Sequence, residues 1–234
     1  MTKKSDATRA KILRAALARF RRHGFEESTM REIADAAGVA ASAAYYYFPS
    51  KESFILAYYA ETQAASTLAA RAAFREHDDA RARLGAILHE KLDVLAKDRK
   101  LLSGLFRSIG DPQSPTSIFG EATRAVREES IQLFDEALAT STDAAALDPA
   151  SRRVLVLALW GLHMGFMLFF IHDESPKQKK TRRLVDGTLD LVASLLPAAP
   201  MLAPMFASQI ATILGDAGIL GHAMKPQRPT PSRD

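Results

Sequence analysis

Between residues 9 and 54 the apolar positions recur at helical spacing in three short bursts, each closed by turn residues. Ile12, Ala16 and Phe20 lie four apart on one face of a first helix. Gly24 stops that helix, because glycine adopts a left-handed cap without strain, and Phe25 follows as its packing lid. Thr29-Met30-Arg31-Glu32 has the spacing of a capping box, in which the hydroxyl and the carboxylate satisfy backbone donors that a helix start leaves bare. The second helix carries Ile33, Ala34 and Ala37 inward and breaks at Gly38-Val39. A third runs from about Ala40 through Tyr45, Tyr46, Tyr47 and Phe48. Two short helices joined by a tight glycine-containing turn make a helix-turn-helix. Pro49-Ser50-Lys51-Glu52 ends the third helix and caps the next.

Beyond Phe54 the pattern stays helical, with no alternating strand signal. A long helix is predicted from Lys51 to about Glu76, followed by helices over Ala80 to Ala96 and Arg99 to Ile109. The loop from Gly110 to Pro115 precedes a helix expected from Thr116 to Ala139. Asp148-Pro149 opens another, with aspartate as N-cap and proline where its missing donor does no harm. Ser175-Pro176 repeats the device for a helix ending near Pro197, and a last one is expected over Met201 to Leu214. The fold class is therefore all-α. Residues 1–52 form a three-helix head, and the long helix from Lys51 joins it to a larger body over residues 53–222. Residues 223–234, with three prolines, read as a disordered tail.

Val154 to Ile171 holds eighteen residues without a formal charge. That is the lower edge of a membrane span, but His163 lies in its middle and no second span accompanies it, so the expected partner is protein and not membrane. At 100° per residue Val154, Ala158, Gly161, Gly165 and Leu168 share one stripe, while Val156, Leu159, His163, Phe166, Met167 and Phe170 lie opposite with Trp160 at their edge. Small residues let another backbone approach closely, so the first stripe is the expected homodimer interface. The second is bulky and soft. Apolar side chains of this kind, and the polar ring of His163 among them, suit a hydrophobic or aromatic ligand.

The residues Ile12-Leu13, Ala15-Ala16, Phe20, Gly24-Phe25, Thr29 to Ala34, Ala37-Gly38-Val39, Tyr45, Phe48 and Ser50-Lys51-Glu52 together resemble the DNA-binding domain of the TetR family of transcriptional regulators. The match holds one register over nearly fifty residues; the rest of the chain resembles the family only in being helical. On a major-groove helix of this register Ala41, Ser42 and Tyr45 face the bases, with Arg31 reaching across from the second helix. Arg31 alone has the forked donors that suit guanine. The resemblance assigns Thr29, Tyr46, Tyr47 and Lys51 to phosphates. It also implies a cavity among the middle helices, walled by Leu88, Leu92, Leu105, Phe106, Phe119, Phe134, Trp160, His163 and Met167. The helices Pro149 to His172 and Pro176 to Leu196 would pair across a two-fold axis, so that two heads meet a pseudo-palindromic operator on double-stranded DNA. Ala40 departs from the family's usual serine or threonine, Ala44 from a larger aliphatic, and Tyr47 from a frequent histidine.

Charge sharpens this picture. Residues 1–52 hold ten basic and six acidic side chains, which accounts for the whole net charge of +4, while the remaining residues carry twenty-one of each sign. The positive field therefore sits on the head, where phosphate attraction needs it. Lys3, Lys4 and Arg9 are expected to form a flexible arm toward the minor groove. The chain has no cysteine and opens on no apolar segment, which suits a reducing cytoplasm. Neither His89 nor His172-Asp173-Glu174 completes a metal pattern, and no phosphate loop, nucleophile elbow or carboxylate pair appears. The expectation is a non-catalytic regulator without cofactor or metal, most simply a repressor released by a small hydrophobic ligand. Two rivals remain open: a same-fold regulator governed by a protein partner, and a helical carrier or enzyme with a vestigial head.

Overall fold

The computed structural model describes residues 3–111 and 113–199, with residues 201, 209 and 212, apart from the side chains of residues 3 and 106–110. Three expectations fall wholly or mostly outside the described residues: the side chain of Phe106, the helix from Met201 to Leu214, and the tail. The helices are α1 (Lys3–His23), α2 (Met30–Ala37), α3 (Ala41–Tyr47), α4 (Lys51–Phe74), α5 (Ala80–Leu95), α6 (Arg99–Gly110), α7 (Arg124–Ala139), α8 (Pro149–His172) and α9 (Lys179–Leu195). No strand occurs among the described residues, and the all-α architecture of a small head on a larger body is as predicted.

In the head, Ile12, Leu13, Ala16 and Phe20 of α1 meet Ile33, Ala34 and Ala37 of α2, Ala44 of α3 and Phe54 of α4, all buried. Phe54 stacks on Phe48 with centroids 4.2 Å apart and meets Phe20 edge-on at 6.1 Å, so α4 is rooted in the head by aromatic packing. Farther along, α4 packs on α5, and buried Arg83 ties the hairpin shut by donating to the carbonyls of Phe74 at 3.2 Å and His77 at 2.7 Å. These are carbonyls at and just past the end of α4 that its own helix leaves without partners.

Three predicted boundaries move. The N-terminal arm is helical: α1 begins at Lys3, and the Arg9 guanidinium lies over the Phe48 ring at 4.9 Å. The helix expected from Thr116 begins only at Arg124. Ahead of it the chain turns on local side-chain bonds, Thr123 Oγ1 donating to the Ser117 carbonyl at 2.6 Å and Asp111 Oδ1 accepting from Gln113 N at 2.9 Å. Short polar side chains compete in this way with the helical ladder. Likewise, Ser175-Pro176 opens only a 3-10 turn, Pro176–Gln178, and α9 starts at Lys179. Lys177 and Gln178 hold φ of 53° and 51°, a left-handed pair that glycine does not mark in the sequence. Buried Asp173 anchors the join by accepting from Thr181 N at 2.8 Å and Thr181 Oγ1 at 2.7 Å.

The apolar helix α8 is long and apolar enough to cross a membrane, yet one side of it lies in the core of this bundle. Val156, Leu159, Trp160, His163, Phe166 and Phe170 are buried. Its other side is left uncovered by the described residues, and it is the side that carries the small-residue stripe: Ala158, Gly161, Leu162, Gly165, Leu168 and Phe169 are exposed.

Candidate functional site

The capping box of α2 forms as predicted. Thr29 N and Oγ1 donate to Glu32 Oε2 at 2.9 and 2.8 Å, and Glu32 N donates back to Thr29 Oγ1 at 3.3 Å. Arg19 holds the second carboxylate oxygen of Glu32. Arg31 is consequently left out: it is exposed and forms no ion pair with Glu32 or Asp35, so its fork is free to meet another partner. Gly38, at φ 61°, makes the turn, and Ala40 caps α3 without a side-chain bond. Ala41, Ser42, Tyr45 and Tyr46 are exposed along α3, with Tyr46 79% accessible.

Two residues assigned to phosphates are already engaged within the head. Lys51 Nζ donates to the carbonyls of Phe25 at 3.0 Å and Glu26 at 3.1 Å and lies over the Phe25 ring. It closes the α1–α2 loop onto the start of α4. Tyr47 is half-buried, with its hydroxyl 3.3 Å from Ser5 Oγ. Lys51→Ala should therefore weaken the head itself by about 1 to 2 kcal/mol, the loss expected when charge-assisted hydrogen bonds disappear. Chemical denaturation of the free protein reads that loss directly.

A cavity of about 160 Å³ opens in the body between α4, α5, α6, α7 and α8. Trp160, His163 and Met167 line it, as the sequence indicated. Leu168, assigned to the outer stripe, lies at its wall as well as on the surface. Leu92 and Phe134 do not line it: both are fully buried core, Phe134 beside the His163 ring at 5.8 Å. Phe119 is exposed and covers the edge of Trp160 at 6.2 Å. His89 lies away from the cavity, with Nε2 2.9 Å from Asp186 Oδ1. Sequence reasoning missed the contribution of α4, whose Tyr58, Tyr59 and Gln63 form a wall, and that of Lys91 on α5. The near-zero amphipathicity of α4, apolar on more than one face, was the available signal that it packs on two sides.

Both His163 ring nitrogens are buried without a hydrogen-bond partner among the described residues, as is the Tyr59 hydroxyl. Burial, with a smaller contribution from the charge of Lys91, pushes the His163 imidazole down to about 3. The folded protein thus refuses a proton that the unfolded chain accepts below about pH 6.5. Stability from this group is complete above that pH and is lost as pH falls toward 3, by about 1.4 kcal/mol at pH 5.5. Urea melts across pH 5 to 7 should show this slope in the wild type and a shallower one in His163→Phe.

One junction joins this cavity to the head. Asp98, fully buried just before α6, accepts from Arg21 Nε of α1 at 2.5 Å and from the Tyr58 hydroxyl at 3.0 Å. Burial, then the charge of Asp98, raises the Tyr58 phenol, which stays a neutral donor. The next residue, Arg99, donates to the carbonyls of Phe170 at 3.0 Å, Ile171 at 3.1 Å and Asp173 at the end of α8. Tyr58, Phe170 and Ile171 all line the cavity.

Known proteins share this fold. Residues 12–58 match the family model of bacterial regulatory proteins of the tetR family, and residues 83–206 match that of the tetracyclin repressor-like C-terminal domain. A tetR-family transcriptional regulator from Streptomyces coelicolor superposes with TM-score 0.58 at 22% identity, covering 93% of this chain and 100% of that one. The FadR regulator of Bacillus subtilis, solved in complex with stearoyl-CoA, gives 0.57 at 18% identity over 81% and 98%. A tetR-family regulatory protein from Rhodococcus RHA1 gives 0.55 at 21% over 84% and 98%. Among curated proteins none matches. With its head and most of its body matched by the two family models, this chain belongs to the TetR family of bacterial transcriptional regulators.

Proposed function

We propose that the protein is a homodimeric repressor that leaves a pseudo-palindromic DNA operator when a small apolar-bodied ligand enters the body cavity. The observation that carries this reading is the junction at Asp98-Arg99, since the same two residues grip cavity-lining elements on one side and the head helix α1 on the other. A ligand that displaces Tyr58 or the end of α8 must disturb Arg21 and change how the head sits on DNA. Such coupling amounts to about 1 to 3 kcal/mol and is reciprocal, so operator DNA weakens ligand binding by the same factor. The stearoyl-CoA held by the Bacillus subtilis relative supports a ligand-responsive body, and a cavity favours this reading over a regulator governed by a protein partner alone.

On DNA, α3 enters the major groove with Ala41, Ser42 and Tyr45 toward the bases, while Thr29, Tyr46, Tyr47 and the spare donor of Lys51 track the phosphates. Arg31 supplies base readout. Arg31→Ala should reduce operator affinity by about 1 to 3 kcal/mol and relax the preference at one base pair per half-site, with random DNA bound nearly as before. Equal losses on both DNAs would remove Arg31 from the reading head. The overall function is tested by footprinting the DNA that flanks the protein's own gene: protection of two half-sites supports it, and no protection at any concentration favours a carrier with a vestigial head.

A further inference from the structure

Lys91 is not explained by an apolar ligand. Its side chain is buried at the cavity wall, and its Nζ donates to Gln63 Oε1 at 2.6 Å. The Gln63 amide donates onward to Thr67 Oγ1 at 3.0 Å, which fixes the oxygen toward the lysine. Among the described residues no carboxylate forms an ion pair with it; Glu129 of α7 acts on its charge only from a distance. Taking an ammonium out of water without a counter-charge costs several kcal/mol, which one neutral amide offsets only in part. The same cavity holds the bare Tyr59 hydroxyl and the two bare nitrogens of His163. A cation and neutral donors without acceptors therefore converge on one space. Burial lowers the Lys91 amine to about 8, so at neutral pH it is still mainly charged.

We propose that the ligand is a small apolar monocarboxylate, about one aromatic ring in bulk, whose carboxylate takes the free donors of Lys91 and Tyr59 while its body lies against Trp160 and Met167. This deepens the reading of the cavity as an inducer site and rests on it. Size follows from the cavity, because an apolar cavity of about 150 Å³ admits benzene, and this one has about 160 Å³. Charge follows from Lys91, the buried cation at the wall. Arg127, the other, is only half-buried, so solvent screens its charge, and its Nη1 donates to the carbonyls of Ile118 at 2.6 Å and Gly120 at 3.3 Å. One ammonium neutralises a monoanion and leaves a phosphate dianion buried with excess charge. The acyl part of a long-chain thioester such as the stearoyl-CoA held by the Bacillus subtilis relative has a neutral carbonyl where a free acid has its carboxylate.

The test is calorimetric titration of the full chain with benzoate, phenylacetate and hexanoate, each beside its primary amide, which keeps the shape and removes the charge. At least one acid should bind ten-fold or more tightly than its amide. Lys91→Met should abolish that preference while melting at or above the wild-type temperature, since it removes a buried unpaired charge. Lys91→Gln serves as a second variant if methionine disturbs the packing. Equal binding of acids and amides, no binding by any of the three acids, or a preference that survives both variants overturns the proposal. Operator release separates this from the inducer reading. Amides that release operator while acids do not would keep induction and remove the anion site; acids that bind without changing operator affinity would keep the anion site and remove induction.

Discussion

Arg21→Ala should destabilise the protein by about 3 to 5 kcal/mol, because among the described residues it leaves the fully buried Asp98 carboxylate with the Tyr58 hydroxyl as its one side-chain partner. That is a large share of the 5 to 15 kcal/mol that holds a typical domain together. Urea unfolding measures it. The milder Tyr58→Phe deletes one bond from the same carboxylate and should cost about 1 kcal/mol, yet it cuts the route from cavity to head. With Tyr58→Phe, ligand should still bind the body and operator should still bind the head, but each should lose its influence on the other. Should both variants unfold like the wild type and respond to ligand like it, the Asp98 junction would be packing alone, and coupling would have to travel through α4 as a rigid lever.

Gly165→Leu is expected to split the proposed homodimer and to reduce operator affinity by on the order of a hundred-fold, since each half-site alone supplies only part of the binding free energy. Within the protomer a Cβ at Gly161 or Gly165 meets nothing within 4 Å, so the variant has room to fold. Leu162, Phe169, Leu184, Leu191 and Leu195 surround those glycines or continue the same apolar character on α9, and all are exposed. An uncovered apolar face of that kind marks an association surface. Replacing glycine in a helix with leucine otherwise stabilises by about 0.5 to 1 kcal/mol. Sedimentation and thermal melting together therefore give opposite answers: a monomer places the interface on α8, whereas an intact dimer with a raised melting temperature places it elsewhere.

Local chemistry made the head legible in the sequence. A capping box, a glycine at φ 61° and apolar residues four apart act within one or two turns, so the partners of Thr29, Gly38 and Phe20 could be named from spacing. The two sides of α8 were readable for the same reason, because 100° per residue assigns Gly161 and His163 to opposite faces whatever they face. Local logic failed at Lys177 and Gln178, which take left-handed conformations without a glycine, and over residues 116–123, where side-chain bonds win over a helix. Spacing along the chain was enough for the order of the helices, the capping box of α2, the aspartate cap of α8, the positive charge of the head and the family register, all of which depend on neighbours a few residues away. Only tertiary structure decided which buried residues are core and which line a cavity, placing Leu92 and Phe134 in the first class and Tyr59, Gln63 and Lys91 in the second. It also brought Asp98 to Arg21 across 77 positions of chain. Burial and charge pairing between distant segments have no period to read, since they depend on how five helices pack around a space that no single one of them specifies.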